Sequence, residues 1–247
     1  MDTTVLSRAT LRLTSLLKRL ASPKFLLLVL FLANIRSAPF AHHIRFFAQI
    51  FQTQWSLRNR KRVAIENGDQ LKVLPPYDDF WASRTLHFRV FPDDVDWNIH
   101  MNNSHYYKNL DFARTDFALA ILGKEFMKLN RMMNAGVVCF FKKELKPLQK
   151  FRIVTRLLSY GPKWMYIEHR FVSGSTSNPT VHTVAISKVV LKQRNGKTIP
   201  FAEALTSLSY VKSDEDPQIA QAREEKRGAG WKAAEALMTC EEELLKS

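Results

Sequence analysis

Between Ser104 and Leu122 the apolar residues do not fit on one side of a helix. Tyr106, Leu110, Ala113, Phe117 and Ile121 form the stripe of a roughly 3.6-residue period, while Tyr107, Phe112 and Leu119 lie off it. A helix apolar on more than one face has to be largely enclosed by protein, and Gly123 stands where its C-terminus would favour glycine. The enclosure follows in the chain. Strand-like runs occupy 136–145, 151–160, 164–174 and 181–193, with Gly161-Pro162 and "GSTSNPT" as hairpin-type connections. An earlier strand, 85–92, alternates Leu86, Phe88 and Val90 with His87, Arg89 and Phe91, and Pro92-Asp93-Asp94 ends it. The order predicts an α+β fold: one long helix against a curled antiparallel sheet, its last four strands in a meander. Arg152, Arg156, Glu168 and Arg170 alternate with apolar residues, so one sheet face is expected to be polar.

Charge separates this body from what precedes it. The chain carries a formal net charge of +14 over 247 residues. Residues 3–65 contain no Asp or Glu, yet Arg8, Arg12, Lys18, Arg19, Lys24, Arg36, Arg45, Arg58, Arg60, Lys61 and Arg62 all fall there. The basicity thus belongs to an N-terminal appendage, and without a zinc-finger or RNP-like motif beside it a nucleic-acid partner is not expected. Leu6, Leu13, Leu16, Leu17 and Leu20 line one helical face; "KFLLLVLFLANI" (24–35) is apolar but too short to span a bilayer; and Phe40, Ile44, Phe47 and Phe51 repeat on a second amphipathic helix. Three readings stay open: attachment to a membrane surface through residues 1–51, a mitochondrial presequence, or helices that pack on the body. His42-His43 has no third ligand in view and reads as interfacial. Cys139 and Cys240 give neither a disulfide framework nor zinc spacing, and Cys139 reads as a small buried apolar side chain. Residues after Ser213 read as a weakly amphipathic, solvated or partner-facing helix carrying Trp231, Ala234, Met238 and Leu245. The expected division is therefore 1–65, a membrane-associating or targeting segment; 66–212, the domain; and 213–247, a charged helical tail.

Chemistry concentrates in "DWNIHMNNSHYY" (96–107), just before the buried helix. A carboxylate (Asp96), amide (Asn98) and imidazole (His100), with backbone N–H groups of Asn103 and Ser104 at the positive end of a helix, can together hydrolyse an acyl derivative. The carboxylate serves as base or nucleophile, the amide orients, the imidazole moves a proton, and the N–H groups receive an oxyanion. Such loops also exist simply to cap helices, with Asn103 or Ser104 as N-cap and Asp96 in an Asx-turn. Asp111 and Arg114, three apart, read as a surface or dimer-interface ion pair. Tyr106 is expected to pack rather than react.

The pattern D-x-N-x-H-[MV]-N-N-x-x-Y, here Asp96, Asn98, His100, Met101, Asn102, Asn103 and Tyr106 followed by "NLDFARTDF", resembles the hotdog-fold thioesterases over about residues 84–210. The loop is most similar to that of acyl-carrier-protein thioesterases. That resemblance implies catalytic roles for Asp96, Asn98 and His100, and for Glu144 in the run "FFKKEL", although the spacing to Glu144 is longer here. Where other hotdog thioesterases place a histidine this chain has Asn103, which disfavours that variant. The layout also resembles the animal thioesterase-superfamily-member-six type and fungal stand-alone thioesterases of secondary-metabolite clusters, which release or edit acyl and polyketide intermediates. The resemblance implies an acyl-CoA or acyl-carrier-protein substrate, no cofactor or metal, and a homodimer with the site shared between copies. Membrane association facing the cytosol, or a mitochondrial location, is the expected setting. Two other functions stay open, an acyl-binding module without turnover and a dehydratase of hydroxyacyl thioesters.

Overall fold

The computed structural model describes residues 22–66, 79–211 and 215–246. The first amphipathic segment, with Leu6 to Leu20, lies outside the described residues, as does most of the stretch joining the appendage to the domain. Two helices, α1 (Pro23–Ala33) and α2 (Ala41–Glu66), precede strand β1 (Arg84–Arg89). The long helix α3 (Asn103–Leu129) leads into β2 (Asn130–Phe141), β3 (Lys150–Tyr160), β4 (Met165–Gly174), β5 (Pro179–Gln193) and the short β6 (Thr198–Ile199). Helices α4 (Phe201–Ser207) and α5 (Pro217–Lys246) finish the chain.

The sheet is antiparallel, in the order β1-β3-β4-β5-β2 with β6 beside β5. This is the hotdog arrangement, one helix enclosed by a sheet. The expected four-strand meander holds only for β3, β4 and β5. Strand β2 does not pair with β3; it runs beside β5, with Val138 opposite Ile186 and Phe140 opposite Val184. The reason is that α3 occupies the concave face, so the chain leaves it at one edge of the sheet and crosses back through 142–149 to join β1 at the other.

Helix α3 breaks at Gly123, whose φ of 77° and ψ of 162° suit glycine far better than other residues. Before that break Leu110, Ala113, Phe117 and Ile121 are buried, and so are the off-stripe Phe112 and Leu119. One part of the core joins Phe117, Ile121 and Leu122 to Leu157, Ile167, Val189, Leu191 and the α4 residues Phe201 and Leu205. The other joins Tyr106 and Leu110 to Met101, Leu145, Phe151, Ile153 and Phe171, directly beneath the loop that precedes α3. Tyr106 packs edge-on against Phe141 and is tilted against Phe171, as expected.

Two elements treated as appendages are packed on the domain. The inner face of α2 lies along α3: Thr53 donates to the Asp116 carboxylate at 2.7 Å, and His42 meets the Phe112 ring at 5.3 Å. Asp116, 1% exposed, is also held by Arg84 of β1 at 2.7 Å and 2.8 Å. The reading of helices packed on the body is therefore the one that describes this face of α2. The solvated tail is corrected too. Helix α5 crosses the outer face of the sheet, where Ser159 donates to the Arg227 carbonyl at 2.8 Å and Trp231 meets the Tyr166 ring at 6.3 Å. Gly230 permits the approach, since a Cβ there would lie 1.8 Å from the Leu158 carbonyl oxygen. Apolar β3 and β4 residues that alternation places on the outer face thus gain a cover.

The polar face exists, with Glu168 paired to Arg156 at 2.8 Å and to Arg170. Alternation turns His169 to the opposite face, where it is fully buried between Thr155 (3.0 Å) and Ser187 (3.1 Å). Arg114 donates to the same Ser187 hydroxyl at 3.0 Å and pairs with Asp111. The Asp111–Arg114 ion pair forms, with Asp111 at the surface and Arg114 pointing into the protein, at the rim of a buried polar chain. Burial, and then the charge of Arg114, push His169 down from 6.5 to about 3.

Between those values the unfolded chain binds a proton that the folded one refuses, so stability is complete above about pH 6.5 and falls as the pH drops toward 3. One such site contributes a slope of up to about 1.4 kcal/mol per pH unit. His169→Gln keeps hydrogen-bonding capacity without titrating. Its unfolding free energy, measured by urea titration at about pH 7 and about pH 5, should fall less on acidification than that of the wild type. Equal falls would refute the assignment.

Candidate active site

The strand β1 ends at Arg89, and a 3-10 turn, Pro92–Asp94, starts the loop. Asp94 is buried and grips the loop at both ends. Its Oδ2 accepts from Phe91 N–H (2.9 Å) and from Arg36 (2.6 Å), its Oδ1 faces His105 Nδ1 at 2.7 Å, and its carbonyl accepts from Asn102 N–H (2.9 Å). Burial works to raise this carboxyl. The hydrogen bonds from His105 and Phe91 and the charge of Arg36 outweigh it and hold the carboxyl below the usual range.

Inside that frame the chain folds back on itself. Val95 bridges Met101, Asp96 N–H donates to the His100 carbonyl (3.0 Å), and Ile99 N–H donates to the Asp96 carbonyl (3.0 Å). The turn forces Ile99 to a φ of 61°, a strained region for a β-branched residue that costs about 1–3 kcal/mol. Trp97 and Ile99 protrude, 89% and 72% exposed, while Asp96 and His100 face each other behind them.

Asp96 Oδ1 accepts from Asn98 N–H at 3.0 Å and lies 3.6 Å from His100 Nδ1. Among the described residues its Oδ2 has no hydrogen-bond partner. His100 Nδ1 also lies 3.3 Å from the Met101 carbonyl. With acceptors on that side Nδ1 carries the hydrogen, and Nε2 is the nitrogen left to exchange a proton. Both side chains are partly exposed, 15% for Asp96 and 28% for His100, so a substrate can reach them. Asn98 is exposed, and its backbone, not its amide, holds Asp96.

The N-cap of α3 is Asn102, one residue before the expected Asn103 and two before Ser104. Its Oδ1 accepts from Ser104 N–H at 2.8 Å, and its carbonyl accepts from His105 N–H at 3.0 Å. Ser104 N–H is therefore committed to the cap, and Asn103 N–H is the better placed of the two expected oxyanion donors. The shift follows from Asp94, which holds the Asn102 backbone in the extended form a cap needs.

Glu144 makes no hydrogen bond or ion pair with Asp96 or His100 among the described residues. Strand β2 ends at Phe141, leaving Glu144 exposed in the crossing loop; its carboxylate has no hydrogen bond or ion pair among the described residues. Its neighbour Leu145 touches the loop, accepting from Met101 N–H at 2.8 Å. Arg36, Asp94 and His105 escaped the sequence reading as a group. One signal was available: Arg36 lies in a stretch without acids, so its partner had to come from the body. No spacing says which acid. Among the described residues there is no cluster of His, Cys, Asp or Glu suited to a metal ion.

The family model of the Thioesterase-like superfamily matches residues 90–208. The chain is 27% identical over 183 residues to the probable thioesterase YBR096W of Saccharomyces cerevisiae, covering 70% of this chain and 74% of that protein. It is 24% identical over 260 residues to the thioesterase poxG of Penicillium oxalicum, covering 87% and 83%. Protein THEM6 of Xenopus laevis is 34% identical over 104 residues, 41% of this chain and 50% of that one, so the match spans about half of that relative. Among solved structures, a gentisyl-coenzyme A thioesterase aligns over 50% of this chain and 99% of its own, at 21% identity and a TM-score of 0.43.

Proposed function

We propose that this domain, whose residues 90–208 match the thioesterase-like superfamily, hydrolyses an acyl thioester of coenzyme A or of a carrier protein, with Asp96 as the reacting carboxylate. The observation that carries this reading is the Asp96–His100 pair, held 3.6 Å apart at the N-terminus of a buried helix and open to solvent. Oδ1 of Asp96 is engaged, so Oδ2 takes a proton from water as the water oxygen bonds to the acyl carbon. Asn103 N–H, at the positive end of α3, faces the developing oxyanion. Collapse breaks the carbon–sulfur bond. The thiolate takes up the proton that Asp96 Oδ2 drew from water, relayed through Nε2 of His100, which begins and ends the cycle without one. The products are a carboxylic acid and a free thiol. Release of acyl or polyketide intermediates, the role of the fungal type, is the pathway reading consistent with this chemistry.

A second copy completes the picture. Strand β2 is a sheet edge, and Met133, Val138, Phe140 and Phe141 are exposed along it. An exposed apolar edge strand is a pairing surface. Pairing of two copies there covers these residues and brings a partner's surface toward the crossing loop that carries Glu144.

The appendage supplies the setting. Every residue of α1 from Phe25 to Leu32 is exposed, and the outward face of α2 presents Ile44, Phe47, Phe51 and Trp55. No helix among the described residues is long and apolar enough to cross a membrane. The eleven residues of α1 reach about 16 Å at ~1.5 Å each, roughly half of a hydrocarbon core of ~30 Å. We read this surface as seated in one leaflet, with basic residues adding affinity for anionic lipid and the domain on the cytosolic or matrix side.

Three outcomes check these readings. Asp96→Asn keeps the turn and removes the carboxylate; thiol release from an acyl-CoA panel should fall at least ~10²-fold with the melting temperature nearly unchanged. Full activity would end the catalytic assignment. Val138→Lys should convert a dimer to a monomer in sedimentation; a wild type that already sediments as a monomer contradicts the shared edge. The full chain should float with phosphatidylcholine vesicles, and more completely when phosphatidylserine is added. Recovery in the dense fraction with both, or a glycan on the Asn102-Asn103-Ser104 acceptor, would count against the membrane setting and its sidedness.

A further inference from the structure

The link between α1 and α2 is joined to the reacting loop by side chains. Arg36 is largely buried, donates to Asp94 Oδ2 at 2.6 Å, and lies over the Phe91 ring at 4.4 Å. Its neighbour Ser37 donates to Asp93 at 3.3 Å. Asp94 is in turn the residue that fixes Phe91, Asn102 and His105, which are the two ends of the loop and the first turn of α3. Asp96 and His100 lie between those fixed points. Loss of the guanidinium leaves a buried carboxylate with less compensation, and a buried carboxylate under-compensated in this way rearranges or draws in water.

We infer that Arg36 is a positioning residue: through Asp94 it holds the Asp96–His100 loop in its working shape, so that the seated α1–α2 pair is part of the active site's support. The inference rests on the hydrolase reading for its kinetic consequence, but its structural consequence stands apart from it. The acid-free composition of residues 3–65 strengthens it, because Arg36 has no acid of its own segment to pair with. Two of the side-chain anchors of this segment, Arg36 and Thr53, end on buried carboxylates of the domain, Asp94 ahead of α3 and Asp116 within it.

The test uses the full chain in detergent micelles, with hexanoyl-coenzyme A and free-thiol detection, so that membrane partitioning of substrate does not enter. Arg36→Ala should lower kcat about tenfold or more while KM stays within about twofold, as displacement of reacting groups does. Arg36→Lys should restore part of the rate, since it returns the charge but not the planar stack on Phe91. Asp94→Asn should lower kcat similarly, and the double variant should be no worse than the single ones. Hydrogen exchange supplies the second readout: residues 92–106 should lose protection in Arg36→Ala while β3 to β5 keep theirs. Unchanged kcat with unchanged exchange overturns the inference, and so does a loss of protection that spreads through β3 to β5 with a falling melting temperature. If the wild type releases no thiol, the hydrolase reading fails, and exchange at 92–106 alone decides the role of Arg36.

Discussion

The carboxylate of Asp116, buried midway along α3, has to be matched where it lies, and the groups that match it come from β1 and α2. Arg84 covers both of its oxygens and Thr53 adds a third hydrogen bond. Removing one partner of such a buried pair costs about 3–5 kcal/mol, so this contact is poorly replaceable. It also sets where elements lie. The apolar surface of α3 would accept a cover in many registers; a buried charge accepts one. With β1 and α2 pinned to the same residue, the sheet closes around one side of α3 and the N-terminal helix around the other.

Asp94 repeats the arrangement at a smaller scale. Its carboxylate and carbonyl hold the two ends of the loop from 94 to 102, and the strain at Ile99 is sustained because both ends are fixed. Within this frame the Asp96–His100 contact is a consequence of backbone pairing rather than of attraction between the side chains. The groups proposed to react are therefore positioned before any substrate arrives, as electrostatic catalysis requires. The same two acids account for α2 being packed on one face and bare on the other. His42, Phe46 and Thr53 meet the body, and Ile44, Phe47, Phe51 and Trp55 are left outside.

Much of this was legible in the residues. The strand before α3, the break at Gly123, the three strands β3 to β5 and the polar alternation of Arg156, Glu168 and Arg170 all follow from local period and turn chemistry, which act over a few residues. The loop at 96–100 was legible as a candidate site because its residue types are a chemical set. The cap was misplaced by one or two residues, from Asn102 to Asn103 or Ser104, since capping depends on backbone angles that Asp94 imposes from outside the helix.

What the tertiary structure alone decided are the pairings between residues far apart in the chain. Strand β2 lies beside β5 rather than β3, α5 lies on the sheet rather than in solvent, Arg114 turns inward to Ser187, and Arg36 finds Asp94. Each depends on which of several chemically equivalent partners is near once the core has formed, and hydrophobic period carries no such information. The chain by itself determined that a helix apolar on several faces must be enclosed by strands and that an acid, an amide and an imidazole would stand at its start. Which buried carboxylates hold that start in place was decided only by packing, because an ion pair is specified by distance and burial, and neither exists before the chain is folded.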